Sequence, residues 1–573
     1  SRRFLNPLYL RVEDVPGAGR LGADLEKVAA EGRRLNENRI IDRDAVLKLK
    51  TAALRALWAT FPGDADFDRF CQQRGQELDL FAAWCALAER HGVGDWRRWP
   101  AEHQRPDSPA VAQFVVESAR EVAYHRWPQW LLDRQLAAAA GAIPLVQDLP
   151  IGVDPGGADA WAWQDLLAKD CTVGAPPDNF NSAGQDWSLP PLVPHKLRAA
   201  GYEPFVQTIR GVLRHARGLR IDHVMGMFRL YWIPKGFGPQ RGAYVRYRFD
   251  ELLAIVALES RRASAFVVGE DLGTVEPKVR DELRRRKILS FRVLWFEKRP
   301  TKDYPKQAMT TATTHDLSTV AGLWCGSDVA EQAKIDAQGA AATAKLRGKL
   351  AREAKLPPEA SPAEAVEGAY RALGKAPSLI LMATLEDALA VEERPNLPGT
   401  TGRQRPNWSL ALPGGIEAVE TAQLPRKIAA ALNRTGAHQA AGQGRRGRCG
   451  KGAGMSYVEQ QSRNRAGALR RRLPVGAELL PEGGVHFRVW APDHRRVAVV
   501  LENPSQTVEL APEPGGYFAG EALAAEAGSL YHFRLGDDPR RWPDPASRFQ
   551  PEGPLGPSQV VDPEDFPWTD DGW

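Results

Sequence analysis

Cysteine is scarce and unpatterned: Cys71, Cys85, Cys171, Cys325 and Cys449 are scattered over 573 residues. An odd, unclustered set argues against a disulfide scaffold or a zinc ribbon and fits a reducing compartment, so a cytoplasmic location is expected. Apolar runs of the ~18 residues needed to cross a bilayer are missing, and no membrane partner is expected. The opening Ser1-Arg2-Arg3-Phe4-Leu5-Asn6-Pro7 lacks the pattern of a secretory signal. With no initiator methionine, it reads as a start part-way through a gene product. No repeat of fixed period is present.

Charge of one sign is not in general excess. The net charge is +5, but between Arg434 and Arg472 ten Arg or Lys residues face the single acid Glu459. That segment alone carries +9, which leaves −4 for the rest of the chain. A basic stretch confined to one Gly- and Gln-rich segment reads as a solvated linker, and no nucleic-acid partner is expected.

What is present is a long chain with 43% apolar residues, enough for more than one core. Residues 1–20 read as a loop layer or the end of a strand. Residues 21–140 carry Phe67, Phe70, Leu78, Phe81, Trp84 and Leu87 at helical spacing, continued by Val122, Trp127, Trp130 and Leu131. From residue 141 short apolar runs end in acids: Ile143–Asp148, Gly218–Asp222 and Phe266–Asp271, with Ile288–Val293 similar and Thr310–Thr314 leading into His315-Asp316. Strands alternating with helices predict parallel βα units, and acids at several strand ends predict a (β/α)₈ TIM-type barrel with a helical insertion. Residues 327–376 read as helices and Pro395–Pro413 as a loop. Past residue 476, runs such as Val485–Trp490, Val497–Leu501 and Tyr531–Leu535, divided by Gly and Pro pairs, predict a C-terminal immunoglobulin-like β-sandwich.

The strand-end acids carry the chemistry. Retaining glycosyl transfer needs two carboxyl groups ~5 Å apart, one ionised to attack and one protonated to assist departure. Asp222 and Glu270 supply that pair. Arg220, two residues before Asp222, points to the same face of a strand and would hold Asp222 ionised. Asp316, after His315, is a third strand-end acid. Each of these has an ordinary alternative: a lone strand-end Asp, including Asp148 or Asp271, often caps a helix. Histidines such as His223 and His315 often serve only as hydrogen-bonding partners. Most of the 17 tryptophans should pack in cores.

At these residues the sequence resembles the amylomaltase family (4-α-glucanotransferases, glycoside hydrolase family 77). The likeness runs in order through Phe4-Leu5-Asn6-Pro7-Leu8-Tyr9, Trp99-Pro100, Gln129-Trp130, Asp133-Arg134-Gln135 and Asp148-Leu149-Pro150-Ile151. It continues through Gly174-Ala175-Pro176-Pro177-Asp178, Gly184-Gln185-Asp186-Trp187, Arg220-Ile221-Asp222-His223 and Gly269-Glu270-Asp271-Leu272-Gly273. Thr314-His315-Asp316, Asn396-Leu397-Pro398-Gly399-Thr400 and Pro406-Asn407-Trp408 complete it. The resemblance implies disproportionation of α-glucans and maltooligosaccharides, with Asp222 as nucleophile, Glu270 as acid/base and Asp316 as third carboxylate. It places Arg220, His223, His315, Asp148, Asp178 and Pro176 on the sugar, with no metal or organic cofactor. It also implies that residues 1–433 form the barrel with its first strand missing, that 21–140 are the insertion, and that 434–475 are the linker.

Residues 476–573 are similar to the N-terminal β-sandwich of malto-oligosyltrehalose trehalohydrolase, through Phe487-Arg488-Val489-Trp490-Ala491-Pro492 and Pro543–Gln550. Met455 resembles that second protein's initiator, which implies two joined neighbouring genes with 434–454 as translated spacer. A trehalose-releasing or other α-glucan hydrolase, or a non-catalytic glucan-binding fragment, remain as alternative functions. The oligomeric state is left open.

Overall fold

The computed structural model describes residues 1–178, 183–273, 275–402, 404–433, 475–480, 483–553 and 556–562. The expected basic linker, Met455 and the C-terminal Trp568–Trp573 lie outside the described residues. Two compact units are present, Ser1–Arg445 and Arg446–Trp573.

The first unit is built on six parallel strands: β1 (Val146–Leu149), β4 (Gly218–Ile221), β7 (Phe266–Gly269), β8 (Leu289–Val293), β9 (Ala308–Thr311) and β10 (Ile380–Met382). They lie side by side in that order, a curled parallel sheet of the TIM-barrel type. Helices lie between them in the chain, and their apolar faces close two cores. Leu219, Ile221 and Val267 pack with Ile209, Leu253 and Val256 of helices Glu203–Leu213 and Phe249–Arg262. Phe291, Val293 and Met309 pack with Leu323, Val366 and Tyr370 of helices Val320–Cys325 and Pro362–Leu373.

A second sheet of four antiparallel strands, β3-β2-β5-β6, rises from the segments after β1 and β4. Its members are β2 (Cys171–Ala175), β3 (Gln185–Leu189), β5 (Arg229–Pro234) and β6 (Ala243–Arg246). Gly174 allows β2 and β3 to meet, since a Cβ there would stand 2.0 Å from the Gln185 carbonyl oxygen. The residues before position 23 form three short 3₁₀ turns and no strand. The helical region comprises Ala23–Leu35, Arg43–Ala59, Ala65–His91, Pro109–Glu117 and Ala119–Ala142, packed on Trp127, Trp130, Phe67 and Leu78.

The second unit is a seven-stranded antiparallel sandwich of β11 (Gly476–Leu479), β12 (Val485–Trp490), β13 (Val497–Leu501), β14 (Gln506–Glu513), β15 (Tyr517–Ala522), β16 (Leu530–Leu535) and β17 (Ser558–Gln559). β14 pairs with β13 over Gln506–Leu510 and with β15 over Ala511–Glu513, carrying the chain from one sheet to the other. Val485, Phe487 and Val489 alternate inward along β12, as a half-buried strand requires.

In the barrel core the Tyr370 hydroxyl donates to Asp387 at 2.7 Å and accepts from the Thr384 N–H at 3.2 Å. The Val320 N–H also donates to Asp387, at 2.9 Å. Burial pushes this carboxyl up to about 6. Tyr370→Phe should therefore cost ~1–3 kcal/mol of stability by chemical denaturation, because a buried carboxyl loses its hydroxyl donor. A cost below ~0.5 kcal/mol would show that the contact is immaterial.

Candidate active site

The register of the parallel sheet assembles the site. Asp148 of β1 lies opposite Arg220 of β4, and Ile221 lies opposite Gly269 of β7. Asp222 and Glu270 each follow those last paired residues, so they stand side by side at the carboxyl ends of neighbouring strands. Adjacent strands are ~4.8 Å apart, the scale that a retaining carboxyl pair requires. Backbone bonds hold the junction: the Glu270 N–H donates to the Ile221 carbonyl at 2.9 Å, and the Val224 N–H to the Glu270 carbonyl at 3.1 Å.

Arg220 is the organiser. Its Nη1 donates to both Asp148 oxygens at 2.7 and 2.8 Å, and its Nη2 donates to Asp222 Oδ1 at 2.9 Å. Burial works against the guanidinium, but Asp148 and Asp222 outweigh it and raise its pKa. The expected lowering of the Asp222 pKa by Arg220 is not the net result. Burial, aided by the nearby Asp148 and Asp316 charges, outweighs the cation and leaves Asp222 above the ordinary carboxylate range.

Glu270 is shifted further. Burial first, then the Asp222 charge, push it up to about 7. Its oxygens accept from the His223 N–H at 3.0 Å and the Leu272 N–H at 2.6 Å. Among the described residues no guanidinium bonds it directly, which separates its protonation from that of Asp222. His223 adopts the left-handed region at φ 46°, the turn that aims its N–H at Glu270. Burial pushes its imidazole down to about 4, so it is neutral near pH 7.

Asp316 is held by Asn396 Nδ2 at 2.6 Å and His315 Nε2 at 3.3 Å. Burial raises its pKa, but those partners together bring it below the ordinary range. His315 is conversely raised: the bonded Asp316 outweighs burial. Asp316 and Asp178 line a cleft of about 610 Å³, together with Leu272 and Gly273 from the segment just after Glu270. Asp222 and His223 line a smaller, mainly apolar cavity of about 170 Å³ on the Leu149–Val153 side. Pro176 sits just after β2, two residues before Asp178.

The structure thus brings Asp148, Arg220 and Asp222 into one ion-paired group, Glu270 against the His223 backbone, and His315 against Asp316. Asp271 turns the other way. It is fully buried, accepting from the Ser290 hydroxyl at 2.5 Å and the Phe291 N–H at 2.9 Å. Three further residues bear on the site without having been assigned to it. Asn396 holds Asp316; Trp408, half-exposed, lies 4.9 Å from the His315 ring; Trp187 meets His223 edge-on at 5.4 Å. Their only signal in the sequence was membership of the Asn396–Thr400, Pro406–Trp408 and Gly184–Trp187 stretches. Among the described residues no group of three or more His, Cys, Asp or Glu side chains is placed to hold a metal ion.

A curled parallel sheet with acidic side chains at the ends of adjacent strands defines the unit as an α/β protein of the TIM-barrel type. The 4-alpha-glucanotransferase family (glycoside hydrolase 77) matches residues 1–416, and the chain belongs to that family. The 4-alpha-glucanotransferase of Mycobacterium tuberculosis (strain H37Rv) is 44% identical over 457 residues, covering 72% of this chain and 62% of that protein. The enzyme of the same name from Haemophilus influenzae is 32% identical, covering 71% and 66%. The chain therefore spans about two thirds of the length of these relatives or slightly less. Among solved structures, amylomaltase from Corynebacterium glutamicum superposes with a TM-score of 0.66 at 35% identity, covering 76% of this chain and 66% of that one. Amylomaltase from Streptococcus agalactiae in complex with acarbose, at 17% identity, 75% and 86% coverage and a TM-score of 0.60, shares the fold.

The Glu270 shift has a consequence for stability. Its folded pKa of about 7 lies above the ordinary 4.5, so the unfolded chain releases this proton first. Native stability must fall as pH rises from the ordinary value through 7. Between pH 5 and pH 8 the unfolding free energy of Glu270→Gln should shift in the variant's favour by ~1–3 kcal/mol relative to the parent, allowing for partial exposure. An unchanged difference across that range would contradict the shift.

Proposed function

We propose that this chain transfers α-1,4-glucan segments between maltooligosaccharides by a retaining double displacement. The observation that carries the proposal is the asymmetric pair: Asp222 bonded to a guanidinium, and Glu270 beside it with its proton held to about 7. Asp222 attacks the anomeric carbon and forms a glycosyl ester as the leaving chain departs. Glu270 gives its proton to the departing glycosidic oxygen. It then takes one from the 4-hydroxyl of the incoming glucan, whose oxygen displaces the ester. Arg220 stabilises the carboxylate of Asp222 before attack and after release. Asp316, kept ionised by His315 and Asn396, stabilises positive charge developing on the sugar ring and binds its hydroxyls. Arg220, His223, His315, Asp148, Asp178 and Pro176 contribute sugar contacts in this reading. The scattered cysteines fit a reducing, cytoplasmic site of action.

Incubation of the chain with maltotriose should give glucose and a ladder of longer maltooligosaccharides, read by chromatography. Maltose and glucose without longer products would indicate hydrolysis instead. Asp222→Asn should lower transfer by at least about 10³-fold with the fold intact. The kcat/KM of the parent should fall above about pH 7, where Glu270 loses its proton. A flat profile to pH 9 would remove Glu270 from the acid's role.

A further inference from the structure

An ion pair with no part in the chemistry above lies beside Asp316, and its arginine, Arg394, lines the same cleft together with Ser318. Asp328, in helix Ser327–Ala333, and Arg394, at the start of the loop that returns to the cleft, have side chains 1% and 5% exposed. Arg394 Nε donates to Asp328 Oδ1 at 2.5 Å, and its Nη2 reaches Asp328 Oδ2 and also the Ser318 hydroxyl at 2.9 Å. The Ser318 hydroxyl in turn donates to Asp328 at 2.5 Å. The remaining nitrogen, Nη1, points to the backbone carbonyl of Asp316 at 3.4 Å.

The same loop grips the Asp316 side chain. Two residues after Arg394, the Asn396 N–H donates to the His315 carbonyl at 3.0 Å while Asn396 Nδ2 donates to Asp316 Oδ1 at 2.6 Å. A second arginine fixes the loop to the same helix. Arg405 donates to the Arg394 carbonyl, pairs with Glu331 at 2.9 Å, and donates to Asn407 Oδ1 at 3.0 Å. Helix Ser327–Ala333 therefore holds both ends of a loop whose inner turn carries a direct ligand of Asp316.

Desolvating an ion pair of this kind generally contributes little net stability compared with apolar residues of the same shape, so its energetic yield alone does not account for it. A rigid fork between a helix and the backbone of a reacting carboxylate does fix geometry, and small displacements of such a group are costly in rate. We propose that Asp328 is a positioning residue for Asp316: through Arg394 and Asn396 it sets where the third carboxylate stands over the sugar. This rests on the transferase reading for its kinetic consequence, though not for the placement of Asp316 itself.

The test is Asp328→Asn in the full chain. The amide keeps the shape and removes the charge that the Arg394 fork requires. In maltotriose transfer kcat should fall roughly 10- to 100-fold, with KM within about twofold and Arg394→Lys reproducing the effect. A second readout needs no turnover. Burial lowers the His315 imidazole, and the bonded Asp316 outweighs it, with Arg220 opposing and Asp148 assisting. Loosening Asp316 should therefore lower the His315 pKa, followed by NMR of labelled histidine. A folded Asp328→Asn variant with parental kcat and an unmoved His315 titration would overturn the proposal. If Asp328→Asn does not fold, Arg394→Lys is read by the same two measurements. Should the parent make no longer maltooligosaccharides, the transferase reading fails, and the His315 titration decides the positioning role alone.

Discussion

The guanidinium of Arg220 is the interaction on which the site depends. It stands at the end of a barrel strand, forks to Asp148 on the neighbouring strand and reaches forward to Asp222. Without it, three carboxylates close enough to influence one another would share a largely desolvated space. Burial alone drives such acids toward their neutral forms. One fixed cation opposes that drive at Asp222, while its neighbour Glu270, which among the described residues accepts from backbone N–H groups alone, is pushed up to about 7. In the proposed reaction, the division of roles between two chemically similar acids follows from which of them the arginine touches.

The parallel sheet makes that arrangement possible at small cost in chain length. Residues in register on adjacent strands share one face, so Asp148, Arg220 and the acids just past β4 and β7 converge without any long loop. The third carboxylate is built differently. Asp316 lies past the end of β9, and its orientation is set by a loop some eighty residues further along the chain. That loop is anchored by arginines to helix Ser327–Ala333. The first two acids are placed by strand geometry, and the third by a network of buried polar contacts.

This difference explains what was legible in the sequence. The barrel class, the sandwich and the strands that lead into Asp222 and Glu270 could be read because apolar runs followed by an acid are local signals, whereas Asp148 lies inside β1, which runs on to Leu149. The side-by-side placement of Arg220 and Asp222 followed from their two-residue spacing. The antiparallel sheet β3-β2-β5-β6 was not read, because Gly174-Ala175-Pro176-Pro177 and Arg229–Pro234 carry no clean alternation. Nor could local sequence tell that Glu270 turns to the His223 and Leu272 N–H groups while Asp271 ties β7 to β8 from inside. Consecutive residues leave a strand in opposite directions, and which side is core depends on the whole sheet. The Asn396–Asp316 contact is a long-range pairing with no local signature, and the net elevation of Asp222 depends on burial that only the folded chain defines.

The central claim is that Asp222 is the atom donor to a covalent glycosyl intermediate, with Glu270 serving the leaving group. It is tested most directly by trapping that intermediate. Glu270→Gln should still be glycosylated by a maltosyl fluoride, whose leaving group needs no proton, but should resolve the ester slowly. Peptide mapping by mass spectrometry should then find the sugar mass on the peptide containing Asp222. A sugar attached to Asp148 or Asp316 instead, or a folded variant that consumes the fluoride with inversion and never carries the adduct, would contradict the account.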